Sequence, residues 1–85
     1  MNAMYLRKHC NDDGTISIEC VNPSPRIPIT REFLDEADPE FVSRDGERFT
    51  LHCMNGTWIY QILEPTPWRP NLRTLTAVLI ESEAA

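Results

Sequence analysis

The chain alternates apolar and polar residues in short runs, and its three glycines fall between those runs. A period of two puts every second side chain on one face of a strand, so the pattern predicts hairpins that close at the glycines. Around Gly14, the segment Asn11-Asp12-Asp13-Gly14-Thr15 has asparagine to open a type I turn and glycine at the left-handed position, the composition of a three-residue hairpin with a G1 bulge. That turn sets a register with Asn11 opposite Thr15, Cys10 opposite Ile16, Lys8 opposite Ile18, Arg7 opposite Glu19 and Leu6 opposite Cys20. One face then carries Leu6, Cys10, Ile16, Ile18 and Cys20 with only Lys8 polar, and the other carries an Arg7–Glu19 cross-strand ion pair.

Asn55-Gly56 is a strong short hairpin signal, because both central residues of a type I′ turn need positive φ. It predicts Met54 opposite Thr57, Cys53 opposite Trp58, Leu51 opposite Tyr60 and Phe49 opposite Ile62, with Phe49, Leu51, Trp58, Tyr60 and Ile62 as the centre of the core. Asp45-Gly46 predicts a further two-residue turn, with Arg44 opposite Glu47 and Val42 opposite Phe49, which extends the ribbon to a meander. The competing reading of that stretch is a helical turn with Asp38 as N-cap and Pro39 at the first helical position.

Thr30 is placed to cap a short helix through Ala37, whose Phe33, Leu34 and Ala37 make one apolar stripe, and Pro39 stops it. Residues 64–70 hold three prolines and are expected to form a loop. Leu72 to Ile80 has apolar residues on both faces, as an interior strand has, while residues 81–85 are expected to fray. The expected fold is an α+β, β-rich domain over residues 1–80: an antiparallel sheet, or a small partly closed barrel, of five or six strands with one short helix.

Length and charge narrow the possibilities. A chain of 85 residues has room for one small core. Thirteen acidic against eight basic side chains give a net charge of -5, which disfavours phosphate backbones and anionic lipid and suits a protein partner with a basic surface. The longest apolar run, Ala77 to Ile80, is far short of the roughly 20 residues of a membrane span, and the start has no secretory apolar core. No membrane association, no direct nucleic-acid binding and a cytoplasmic location are therefore expected. Three cysteines form no disulfide framework, so free thiols are the default.

The doublets His9-Cys10 and His52-Cys53, with Cys20, have the donor types of a zinc site. Strand geometry opposes one, because neighbours in a doublet point to opposite faces and no CxxC knuckle is present. Cys10 and Cys20 share a face about 13 Å apart along the ribbon, which also forbids their disulfide. Neither a metal nor another cofactor is expected. Cys53 with His9, or Cys10 with His52, would be nucleophile–base pairs, yet nothing in the spacing joins them, and no elbow, phosphate loop or metalloprotease motif occurs. The expectation is a protein that is not an enzyme.

Two proline clusters, residues 22–28 and 64–70, contain PxxP spacing, which rigid connectors explain at lower cost than a peptide ligand does. Glu32, Asp35, Glu36, Asp38, Glu40, Asp45 and Glu47 outnumber Arg31, Arg44 and Arg48; their plain reading is a solvated face, their functional reading a dock for a basic surface. Trp68, between Pro67 and Arg69, is of the residue type that anchors interfaces. The sequence thus points to a non-catalytic protein-binding module, an inhibitor or accessory factor of the phage-like, mobile-element kind. Its expected partner-binding residues are Trp68, Arg69, Asp35, Glu36, Asp38, Glu40 and Glu47. The alternative is a small zinc-binding or thiol-dependent domain, including a degenerate enzyme.

Overall fold

The computed structural model describes residues 3–63 and 74–84. Among them are seven strands and one helix: β1 (Tyr5–Cys10), β2 (Ile16–Val21), β3 (Arg26–Thr30), α1 (Arg31–Glu36), β4 (Val42–Asp45), β5 (Arg48–Cys53), β6 (Gly56–Ile62) and β7 (Thr74–Ala84). They form two antiparallel sheets, β1-β2 and β3-β7-β6-β5-β4, neither closed into a barrel. The fold is the expected β-rich antiparallel one with a short helix, and its added strand is β3, which the proline-rich segment conceals. Pro28 is accommodated because β3 is an edge strand, where a residue without an N–H can face away from the ladder.

The β1–β2 hairpin has the register its turn chemistry demands, from Cys10 opposite Ile16 to Leu6 opposite Cys20. Gly14, at φ 87, donates to the Asn11 carbonyl at 3.1 Å, and the Asn11 N–H donates to the Thr15 carbonyl at 2.9 Å. Arg7 lies 3.7 Å from Glu19 on the outer face. The inner face is buried only toward Cys20; Cys10 and Ile16, at the turn end, are exposed.

Two turns of the larger sheet differ from expectation by the same step. In the β5–β6 hairpin, Leu51 faces Trp58, Phe49 faces Tyr60 and Cys53 faces Gly56, so Met54 and Asn55 are the central residues. Asn55 does not take the positive φ of a type I′ turn; Asn22, at φ 55, is the only non-glycine that does among the described residues. In the β4–β5 hairpin, Val42 faces Leu51 and Asp45 faces Arg48, which puts Gly46 at the first central position with φ 62. That is the glycine placement of a type II′ turn, and it spares Asp45 a left-handed backbone. Each register moves by two residues, one full strand period, so every side chain keeps its expected face.

Both readings of residues 38–42 hold. Asp38 caps one turn through its carboxylate, which accepts from the Glu40 N–H, and through its carbonyl, which accepts from Phe41 and Val42, all at 2.9 Å. The meander then starts at Val42. Upstream, Thr30 caps α1 by accepting the Phe33 N–H at 3.1 Å, and Leu34 is the helix's buried residue.

The core lies on one face of the larger sheet. Phe49, Leu51, Trp58, Tyr60 and Ile62 are all buried, joined by Ile29, Leu34, Val42, Leu75, Ala77 and Cys20. The Phe49 and Tyr60 rings stack with centroids 5.4 Å apart. β7 lies between β3 and β6, as an interior strand should. It continues beyond Ile80 through the residues expected to fray: a bulge next to Ile59/Tyr60 shifts the register, and Glu81 to Ala84 then pair with Ile59 to Gly56. Gly56 is required at that crossing. Its φ is 146, and a Cβ there would sit 2.6 Å from the Glu83 carbonyl oxygen.

Candidate functional site

Trp68 and Arg69, expected at the centre of a binding surface, lie outside the described residues. The five acidic residues expected beside them are all exposed. Asp35 and Glu36 are on α1, Asp38 and Glu40 in the turn that follows, and Glu47 in the β4–β5 turn. Two of them also have structural work: Asp38 caps its turn, and Asp35 lies 3.7 Å from Arg44.

A groove of about 830 Å³ lies where residues of the two sheets come together. It is lined by Phe49 and Leu51 of the larger sheet, by Met4 and Leu6 at the small sheet, and by Ile27, Ile29 and Phe33 of β3 and α1. Alternation explains how these residues converge, since Leu6 shares its face with Cys20, and Ile27 and Ile29 are two residues apart on one face of β3. Ser24, Arg26, Thr30 and Thr74 supply polar atoms around the lining. Tyr5 and Phe33 also line it and keep 46% and 39% of their surface exposed. Apolar lining with a few polar groups at its margin is typical of a binding site of this volume.

The residues with candidate chemistry are dispersed. His9 Nε2 lies 2.9 Å from Glu19 Oε1 on the outer face of the small sheet. His52 Nε2 lies 2.7 Å from Ser43 Oγ on β4 and β5, and neither residue lines the groove. Cys10 is exposed at the far end of its hairpin, and among the described residues no three His, Cys, Asp or Glu side chains converge in a metal-binding group.

Cys20 and Cys53 come together in the core: Cys20 is part of the hydrophobic cluster and Cys53 packs against it. Burial raises both thiols, Cys53 to about 11, with Cys20 beside it adding to the effect. Tyr60 is pushed up to about 12, first by burial and then by the two thiols. Its hydroxyl donates to the Ser24 carbonyl at 2.7 Å, and the Met4 sulfur lies 3.4 Å away. Above these groups, the Asn55 side chain accepts the Cys20 N–H at 3.1 Å and donates to the Cys20 carbonyl at 2.9 Å.

No family model, curated protein or solved structure matches the chain. Among the described residues no helix is long and apolar enough to cross a membrane.

Proposed function

We propose that the chain is a non-catalytic protein-binding module, acting in the cytoplasm as an inhibitor or accessory factor, that takes an apolar anchor of a basic partner segment into the groove between its two sheets. The observation that carries this reading is Phe33. It lines the apolar groove and is half exposed, while its own helix presents Glu32, Asp35 and Glu36 to solvent. A partner that inserts an apolar or aromatic side chain beside Phe33 and Tyr5 would bring flanking Lys or Arg residues near those acids. Burying the anchor supplies affinity and the charges supply orientation and association rate.

Capture from native-cell lysate with the wild-type chain, compared with a Tyr5→Ala/Phe33→Ala double variant, tests the reading. A partner retained by the wild type, lost at least tenfold with the double variant and eluted by raised salt is expected. Equal retention by a folded double variant would show that the groove is not the site.

A further inference from the structure

The three cysteines occupy very different places. Cys10 is exposed at the turn end of the small hairpin, whereas Cys20 is 2% exposed and Cys53 is half-buried, and these two come from different sheets. Their approach is built by the backbone. The Met54 N–H donates to the Ile18 carbonyl at 2.7 Å, and the Asn55 amide holds both backbone groups of Cys20. Strand β2 is thereby fastened along residues 18–20 to the turn that immediately follows Cys53. With that backbone held, the two side chains enter one apolar cluster, Cys20 within it and Cys53 packed against it.

We propose that Cys20 and Cys53 are a dithiol–disulfide site, closed by a small-molecule disulfide such as oxidised glutathione, which locks the β1–β2 hairpin onto the five-stranded sheet. Cys53, the more accessible thiol, loses its proton to solvent and attacks one sulfur of the oxidant, releasing one thiolate. Cys20 then loses its proton and attacks the mixed disulfide at Cys53, expelling the second thiolate. Each expelled thiolate takes up a proton, so one oxidant disulfide becomes two thiols and the protein gains one sulfur–sulfur bond. The reaction is slow at neutral pH, because a thiol held near 11 is only about one part in 10⁴ thiolate there. Its rate rises about tenfold per pH unit below that value. The bond crosses the junction on which the groove is built, since Leu6 comes from the hairpin, with Met4 just before it, and Phe49 and Leu51 come from the sheet. The site does not depend on the groove's having a partner, because its chemistry is read on the chain alone.

The test is to equilibrate the folded full chain with oxidised and reduced glutathione at pH 8 to 9, quench with acid, alkylate and map the peptides. Expected are the loss of two hydrogens in mass, a Cys20–Cys53 linked peptide and alkylation at Cys10 alone. The oxidised chain should melt roughly 10 °C or more above the reduced one, as closing a loop of about 30 residues implies. Amide exchange at Cys20 and Met54 should slow about tenfold. Cys53→Ser should abolish all three changes and Cys10→Ser should leave them intact. A persistent glutathione adduct at Cys53, a crosslink through Cys10, three thiols still alkylable at equilibrium, or an oxidised chain that melts with the reduced one would each overturn the proposal.

Discussion

Two hairpins each carry an asparagine in or beside the turn, and the two asparagines are used in opposite ways. In β1–β2, Asn11 serves its own hairpin: its backbone closes the turn, and its side chain donates to the Thr15 and Ser17 hydroxyls at 2.9 and 3.0 Å, in solvent. In β5–β6, Asn55 turns outward and makes two hydrogen bonds to the backbone of β2, standing in for a neighbouring strand. The glycines diverge likewise. Gly14 supplies a left-handed backbone with nothing within 4 Å, while Gly56 makes room for the carbonyl of Glu83. The first turn is therefore governed by local chemistry and the second by what packs against it. Substitutions at matched positions should separate the two regimes.

The widest separation is expected in the side chains. Leu51→Ala, in the buried face of β5, should cost roughly 2 to 5 kcal/mol, whereas Ile16→Ala, at the exposed turn end of β2, should cost under about 1 kcal/mol. Urea denaturation of the two variants checks this. Comparable losses would mean that the small hairpin is as tightly packed as the sheet.

The glycines come next. Gly56→Ala meets both an unfavourable φ and a carbonyl oxygen at 2.6 Å, and should cost about 3 kcal/mol. Gly14→Ala, at φ 87 in open space, meets only the backbone term of about 1 kcal/mol. Thermal melts in which Gly14→Ala is the more damaging of the two would reverse the assignment of the strained crossing.

Titration separates the hairpins as well. Cys53 and Tyr60 belong to β5–β6, and both are held protonated in the fold, near 11 and 12, by burial before any other cause. The unfolded chain gives up these protons first, from about pH 9 for a thiol and pH 10 for a phenol, so it binds fewer protons than the native state above that pH. Stability is then at its full value below about pH 9 and falls as pH rises toward 12, by on the order of 2 kcal/mol for each group. Cys53→Ser should remove its share of the slope. A urea midpoint that stays level from pH 8 to pH 11 would show that this side of the core is wet.

How much of this is legible in the sequence follows from the same division. The β1–β2 register is legible because Asn11, Asp13 and Gly14 determine it among themselves; the Asp13 carboxylate accepts both Thr15 groups, which holds it below the usual carboxylate range. The β5–β6 register is not, because nothing near Asn55 in sequence reveals that Cys20 will occupy its amide. The core faces are legible even so, since a displacement of two residues leaves Phe49, Leu51, Trp58, Tyr60 and Ile62 on one side. The groove is assembled from Leu6, Ile27, Phe33 and Phe49, residues of four elements with no common local pattern. The Ser43–His52 pair depends on the β4–β5 register, which places Ser43 opposite Thr50 and so within reach of His52. With the turn at Asp45-Gly46, Ser43 would face Arg48 and the pair would be apart.

The smallest effect is the most direct test of the contrast. Asn55→Ala removes a donor and an acceptor and leaves the part-buried N–H and carbonyl of Cys20 to find other partners, so it should cost about 1 to 3 kcal/mol. Asn11→Ala keeps the backbone bonds of its turn and leaves only hydroxyls that water can reach, so its cost should stay below about 0.5 kcal/mol. The location of the damage is as informative as its size. Hydrogen exchange in the Asn55 variant should accelerate at Cys20 and at Met54, whose N–H bonds to Ile18 across the same junction. The ladder between β5 and β6 should hold, because its own hydrogen bonds do not pass through the asparagine side chain. If exchange rises instead along β5 and β6 while Cys20 stays protected, Asn55 is a turn residue like Asn11 after all, and the two sheets are joined by their apolar faces alone.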